Sequence, residues 1–243
     1  MIHSGRDSRD CDLKIKRILM VIIVIKDNEF TLLEEYQNQS RRFVYRFLKR
    51  TFDIVASLLG LLLLFPVFLI VSLAIKKEDV NGPVFYFQYR VGRHGKRFKM
   101  YKFRSMVVNA DKILDSLAEK NEVDGAMFKM KNDPRVTHVG NFIRRHSIDE
   151  LPQLVNVLIG DMSLVGTRPP LIREVSEYTE YEKKRLVVKP GCTGLWQVSG
   201  RNDLDFKEMV DLDIEYISRS SLALDITILL RTVLIMIKPN SAY

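Results

Sequence analysis

Two cysteines, Cys11 and Cys192, are the only thiols in 243 residues, and they lie far apart. That scarcity excludes a disulfide-built scaffold and suits a reducing compartment. The four histidines (His3, His94, His138 and His146) and the two cysteines show no zinc-ligand spacing, which argues against a structural zinc site. No Gly-x-x-x-x-Gly-Lys-Ser/Thr stretch occurs, so a P-loop nucleotide site is ruled out. Internal repeats and low-complexity linkers are also absent, and residues 41–243 read as one continuous unit. No cleavable signal peptide is expected. The apolar residues 18–25 follow Lys14, Lys16 and Arg17, but no small-residue cleavage site comes after them. Eight residues are also too few to cross a bilayer as a helix.

What is present is a large apolar fraction and an excess of positive charge. Hydrophobic residues make up 47% of the chain and the formal net charge is +8. The first supports a sizeable core. The second favours anionic partners, among them phosphorylated ligands and acidic lipid. Nucleic acid is disfavoured, because no nucleic-acid motif is present and the basic clusters bracket a hydrophobic segment.

That segment, Ile54–Ile75, reads "IVASLLGLLLLFPVFLIVSLAI", 22 residues without a charge. Its length suits a membrane helix. Both flanks are basic: Arg41, Arg42, Arg46, Lys49 and Arg50 precede it, and Lys76, Lys77, Arg90 and Arg93 follow. Basic flanks favour the cytoplasmic side, so two of them favour a segment that re-enters over a kinked helix that crosses. Pro66, near the middle, supplies the break by removing a helical hydrogen bond. The preceding "RRFVYRFLKRTFD" mixes arginines with aromatics as interfacial segments do.

Residues 82–104, "GPVFYFQYRVGRHGKRFKMYKFR", predict a hairpin turning at Gly92–Gly95. Period-two alternation would put Lys102 and Arg104 on one face. A polar amphipathic helix is expected over 109–121, a loop over 131–140 and a helix over 141–146. Apolar residues at 151, 154, 155, 158 and 159 then predict a helix beginning near Ser147 to Asp149, because Pro152 is tolerated only in a first turn. Ser147-x-x-Glu150 matches a capping box. "DMSLVGTRPP" (161–170) and the Gly-rich 189–201 read as loops, with a charged helix from Arg173 to about Arg185 between them. Ser221–Lys238 suits an amphipathic helix on a membrane or over a core.

The charged residues in or beside these loops are Asp149, Glu150, Lys102, Arg104, Arg144, Arg168 and Arg201. Arginine forks match phosphate oxygens. Adjacent carboxylates on a helix diverge by about 100°. One could hold Mg²⁺, which commonly takes one or two carboxylates plus substrate phosphates, while the other faces phosphorus as a nucleophile. From chemistry alone the chain reads as a membrane-surface enzyme for a phosphorylated substrate. A phosphohydrolase using the same groups, or a non-catalytic adaptor binding anionic lipid, are the alternatives.

The series "KRTFD", "GPVFYFQYRVGRHGKRFKMYKFRSM", "DPRVTHVGNFIRRHSIDELPQLVNVLIGDMSLVGTRPP", "KPGCTGLWQVSGR" and "SAY" resembles the bacterial sugar transferase family, the monotopic polyprenyl-phosphate phosphoglycosyl transferases. The likeness covers residues 41–243 in motif order. Thr167 departs from it, since relatives commonly read Gly-Pro-Arg-Pro there. The resemblance implies an α+β, mainly helical, monotopic protein with a Pro66-broken re-entrant helix, a small β-hairpin and amphipathic interfacial helices at the cytoplasmic face of the membrane. It divides the chain into an N-terminal extension (1–40), an interfacial arm with the re-entrant helix (41–80) and a catalytic domain (81–243). It implies transfer of a sugar 1-phosphate from a UDP-sugar to undecaprenyl phosphate, with Mg²⁺, in exopolysaccharide or capsule assembly. By motif position Asp149 is the nucleophile, Glu150 the Mg²⁺ ligand and Lys102 the lysine beside them. Arg144, Arg168 and Arg201 fall on the arginines that contact phosphate and nucleotide, and Arg104 is grouped with them. The sugar stays open, as does a homo-oligomer.

Overall fold

Pro66 and its neighbours set the first architectural feature of the computed structural model, which describes residues 43–110, 112–113, 130, 133–200 and 204–237. The N-terminal extension, most of the helix expected over 109–121, Arg201 and the closing Ser-Ala-Tyr lie outside these residues. The apolar run folds as two helices, α1 (Phe43–Leu63) and α2 (Phe65–Glu78), bent by 58° at their junction. Pro66 sits in the first turn of α2, where its missing N–H costs nothing. Leu64 closes α1 through its N–H to Gly60 O (2.9 Å) and opens α2 by accepting from Phe68 N (3.0 Å). The break lies where the sequence placed it. No single helix among the described residues is long and apolar enough to cross a membrane, but this bent pair passes by length and composition.

Residues 45–243 form one compact unit. The polar residues of α1 tie it to that unit. Arg50 donates to Val157 O (2.6 Å) and Leu158 O (2.8 Å), two carbonyls of the last turn of helix α4 (Gln153–Ile159). Asp53 accepts the Leu164 N–H at 3.0 Å. Lys49 pairs at 2.8 Å with Asp225, which Tyr216 also reaches. Two residues of the basic flank therefore hold the fold together.

Strands β1 (Phe85–Val91) and β2 (Arg97–Phe103) form the expected antiparallel hairpin, with Tyr86 opposite Lys102 and Arg90 opposite Phe98. Helix α3 (His138–Arg145) starts earlier than expected because Thr137 caps it, accepting from Gly140 N at 2.9 Å. Two stretches expected to be loops contain strands. β3 (Ser163–Val165) pairs in parallel with β4 (Gly191–Thr193). The backbones approach closely: a methyl at Gly191 would lie 2.1 Å from Gly166 N. The charged helix expected from Arg173 is interrupted. Tyr178 is extended, separating α5 (Ile172–Glu177) from α6 (Glu180–Lys183), whose Thr179–Glu182 capping box starts a new helix. Helices α7 (Leu195–Ser199), α8 (Phe206–Arg219) and α9 (Leu222–Ile237) are the last of the described elements. The described residues are mostly helical with two small sheets.

One core joins the hairpin, α4, β3, α8 and α9 through Phe98, Met100, Val157, Met162, Val165, Ile217 and Ile228. A second joins α2, β2 and α3 through Val71, Ile75, Phe103 and Ile143. α9 buries Ile228 and exposes Leu230 and Leu234, an amphipathic distribution.

Candidate active site

The acidic pair sits on a 3₁₀ turn, Ile148–Glu150, ahead of α4. This corrects the expected capping box. Ser147 adopts left-handed backbone (φ 55°) and its side chain caps nothing, so α4 proper begins at Gln153. The turn is held by its apolar ends, since Ile148 and Leu151 pack on the core shared by α2 and α3. With about three residues per turn, neighbouring side chains diverge by about 120°. Asp149 points inward and is buried, whereas the Glu150 side chain is 40% exposed.

Lys102 reaches the pair from β2, its Nζ 2.6 Å from Glu150 Oε1. Its placement depends on Asn156, which is fully buried in α4. Asn156 Oδ1 accepts from Tyr101 N (3.0 Å) and Nδ2 donates to Lys99 O (2.6 Å), so its amide imitates a neighbouring strand. Burial pushes the Asp149 carboxyl up to about 6, with Lys102 and Arg144 opposing the rise and Glu150 adding to it. Glu150 goes the other way. Its partial burial raises it, but the charge and hydrogen bond of Lys102, with Arg168 and Arg90, hold it below the ordinary range. Two adjacent carboxylates thus have different environments, and both are ionised at neutral pH.

Arg144, half-buried in the last turn of α3, acts electrostatically on Asp149. Arg168 acts on Glu150 from a loop fixed on both sides. Thr167 Oγ1 donates to Arg185 O (3.0 Å), which anchors the loop on one side. On the other side, Val91 N donates to Pro170 O (3.0 Å) and Arg90 Nη1 to Pro169 O (3.2 Å). Arg90 is buried and carries a like charge beside Arg168. Burial first, and Arg168 second, lower its guanidinium to about 10. In the sequence Arg90 is one more basic residue of the flank; its register opposite Phe98, on the inward face of the hairpin, is what sets it apart. Arg104 is not brought to the acidic pair by any hydrogen bond or ion pair described. It pairs with Asp79 at 3.1 Å, against Gly82, whose Cβ would overlap the guanidinium.

Among the described residues no three His, Cys, Asp or Glu side chains converge as a metal cage. A site of one or two carboxylates completed by substrate phosphate is the usual Mg²⁺ arrangement, and the accessible Glu150 beside Asp149 fits it.

Residues 44–239 match the model of the bacterial sugar transferase family. The chain is 47% identical over 208 residues to a galactosyl transferase, CpsE, of Streptococcus agalactiae, covering 85% of this chain and 46% of that protein. It is 47% identical over 223 residues to an undecaprenyl-phosphate galactose phosphotransferase of Salmonella typhimurium, covering 90% and 46%. Against the exopolysaccharide production protein ExoY of Rhizobium meliloti it is 42% identical over 189 residues, covering 76% and 83%. The chain therefore spans about half the length of the first two relatives (46%) and most of the third. On the matched span, and on a relative 42% identical that is covered to 83%, the chain belongs to the bacterial sugar transferase family.

Proposed function

We propose that this chain transfers a sugar 1-phosphate from a UDP-sugar to undecaprenyl phosphate at the cytoplasmic face of a bacterial membrane, in exopolysaccharide or capsule assembly. The observation that carries the reading is the split environment of the acidic pair: Asp149 is buried with a raised pKa, and Glu150 is accessible and held by Lys102. A carboxylate of raised pKa is a stronger nucleophile that remains ionised at neutral pH.

Asp149 attacks the phosphorus bearing the sugar. The bond to the bridging oxygen breaks, UMP leaves with that oxygen, and an acyl phosphate joins Asp149 to the sugar phosphate. A phosphate oxygen of undecaprenyl phosphate then attacks the same phosphorus, the acyl–phosphorus bond breaks, and Asp149 is regenerated as the lipid diphosphate sugar forms. Arg144, Arg168 and Arg201 balance charge on the diphosphate. Lys102 keeps the Glu150 carboxylate ionised and oriented. Glu150 would hold Mg²⁺, which when bound offsets repulsion between an anionic nucleophile and an anionic substrate.

The same reading makes α1 and α2 a re-entrant pair. If the 58° bend is shared equally, each arm dips about 29° below the membrane plane. The 14 residues of α2, at about 1.5 Å each, then carry the bend about 10 Å deep, inside one leaflet of a hydrocarbon core about 30 Å thick. Both ends stay on one side, which agrees with the basic flanks.

The test is transfer from radiolabelled UDP-galactose, the sugar named in two relatives, and from a panel of other UDP-sugars, to added undecaprenyl phosphate. The reading predicts label in the organic phase. Free sugar phosphate released without lipid would mean a hydrolase, and label in neither product with any donor would refute the transferase reading.

A further inference from the structure

Between Asp79 and Asp111 the chain has no carboxylate, and it has seven lysines and arginines. This stretch is the hairpin, whose two faces differ. The inward face carries Arg90, Phe98, Met100 and Lys102 toward the core and the acidic pair. On the outer face, Phe103 and Phe85 stack at 5.2 Å, and Phe103 meets Phe68 of α2 at 5.0 Å. The face that touches α2 at the hairpin base continues exposed toward the tip. Phe87 and Tyr89 are 45% and 50% exposed there, and Lys99 Nζ lies 4.6 Å from the Phe87 ring centre. Arg97 and Lys96 are exposed beyond them. At the tip, His94 adopts left-handed backbone (φ 57°) and feels the charges of Arg93 and of Arg46 on α1. The base of the hairpin thus rests on α2, and its tip, tied to Val187 O by Arg93 Nε at 3.1 Å, comes within electrostatic reach of Arg46 on α1.

We propose that this outer face rests on the headgroup layer of an anionic bilayer, with Lys96, Arg97 and Lys99 on lipid phosphates and Phe87 and Tyr89 among the glycerol backbones. The surface extends the apolar arm α2, it has the aromatic and cationic composition of membrane interfaces, and no carboxylate of the hairpin opposes an anionic surface. Docking there holds the inward face, with Lys102, at a fixed height where a lipid phosphate arrives. The proposal rests on reading the bent pair as membrane-inserted.

The experiment uses the full chain carrying Cys11→Ser and Cys192→Ala, with an environment-sensitive dye on Tyr89→Cys or, separately, on Leu62→Cys at the bend. Each protein is reconstituted in vesicles of phosphatidylcholine alone or mixed with phosphatidylglycerol. The 89 dye should shift to the blue and be quenched by headgroup-labelled lipid in the anionic vesicles, and about 1 M salt should reverse this, the Debye length falling to about 3 Å. Replacing Lys96, Arg97 and Lys99 with Gln should lower the docked-to-undocked ratio by on the order of 100-fold, with UMP exchange in detergent retained as the control for folding. An 89 dye that stays in water in anionic vesicles, while the 62 dye is within the bilayer, overturns the proposal and leaves the membrane reading standing. If both dyes stay in water, both fail.

Discussion

Asn156 offers a direct way to perturb the site without touching a charged residue. Its side chain is fully buried and makes two hydrogen bonds to the outer edge of β2, at 3.0 Å and 2.6 Å. Asn156→Ala leaves the Tyr101 N–H and the Lys99 carbonyl unsatisfied, each costing about 1–3 kcal/mol. Allowing for partial relaxation, the expected loss is about 3 kcal/mol, or roughly 6–12 °C in melting temperature for a domain of this size. Asn156→Asp should be no better, since a carboxylate can still accept from Tyr101 but faces the Lys99 carbonyl without a proton to offer. Lys102 is the next residue along the strand, so UMP exchange should fall even below the melting transition. Melting curves and exchange rates in one detergent would test both parts. A melting temperature within about 2 °C of wild type, with full exchange, would refute the claim that Asn156 locates the hairpin.

The remaining predictions address the phosphate loop, pH and topology. Arg168→Lys should cost on the order of 10²-fold in rate, and Arg90→Gln, which frees the Pro169 carbonyl, should cost a similar factor. The double variant should lose little more than either single, because both act through one loop; additive losses would separate them. Burial holds the Asp149 carboxyl at about 6, above its ordinary value, so its charged form costs folding stability that accumulates as pH rises from about 4 to about 6. Asp149→Asn should therefore melt higher than wild type at pH 7.5 and lose that advantage toward pH 4. The acid limb of exchange should lie at or below pH 6, and a limb above 7 would contradict the assignment. Cysteines at the exposed Thr51 and Val80, in the cysteine-free background, should both be labelled from the cytoplasmic side alone. Pro66→Ala should allow some molecules to cross, exposing the position 80 cysteine outside.

The features legible in the sequence are those written in local chemistry. The hairpin announced itself by alternation and glycines and the helix break by proline, whereas the acidic pair, which reads equally well as a helix cap, stood out through the family resemblance. Three kinds of feature were not legible. β3 and β4 have three residues each, and Ser163–Val165 are buried at every position, so no alternation marks them. The turn at Ser147 depends on a left-handed backbone that the sequence does not signal and on Ile148 and Leu151 finding a core made by α2 and α3. Asn156, Arg50, Lys49 and Arg90 act through partners at least 55 residues away for every side-chain bond that fixes their role here. A polar residue in an apolar helix, or one more arginine in a basic flank, carries no mark of such a partner. Arg104 shows the converse: strand alternation suggested company for Lys102, but the chain ends β2 at Phe103 and turns its guanidinium to Asp79.

The central claim is that Asp149 forms a covalent bond to the sugar phosphate before the lipid arrives. Incubating the protein with Mg²⁺, its UDP-sugar donor and labelled UMP, without undecaprenyl phosphate, measures this directly. Label should enter the UDP-sugar, Asp149→Asn should abolish the exchange because an amide is a poor nucleophile, and Glu150→Gln should lose it as well. A strict requirement for undecaprenyl phosphate, or exchange that persists in Asp149→Asn, would contradict it and make direct transfer in a ternary complex the better description.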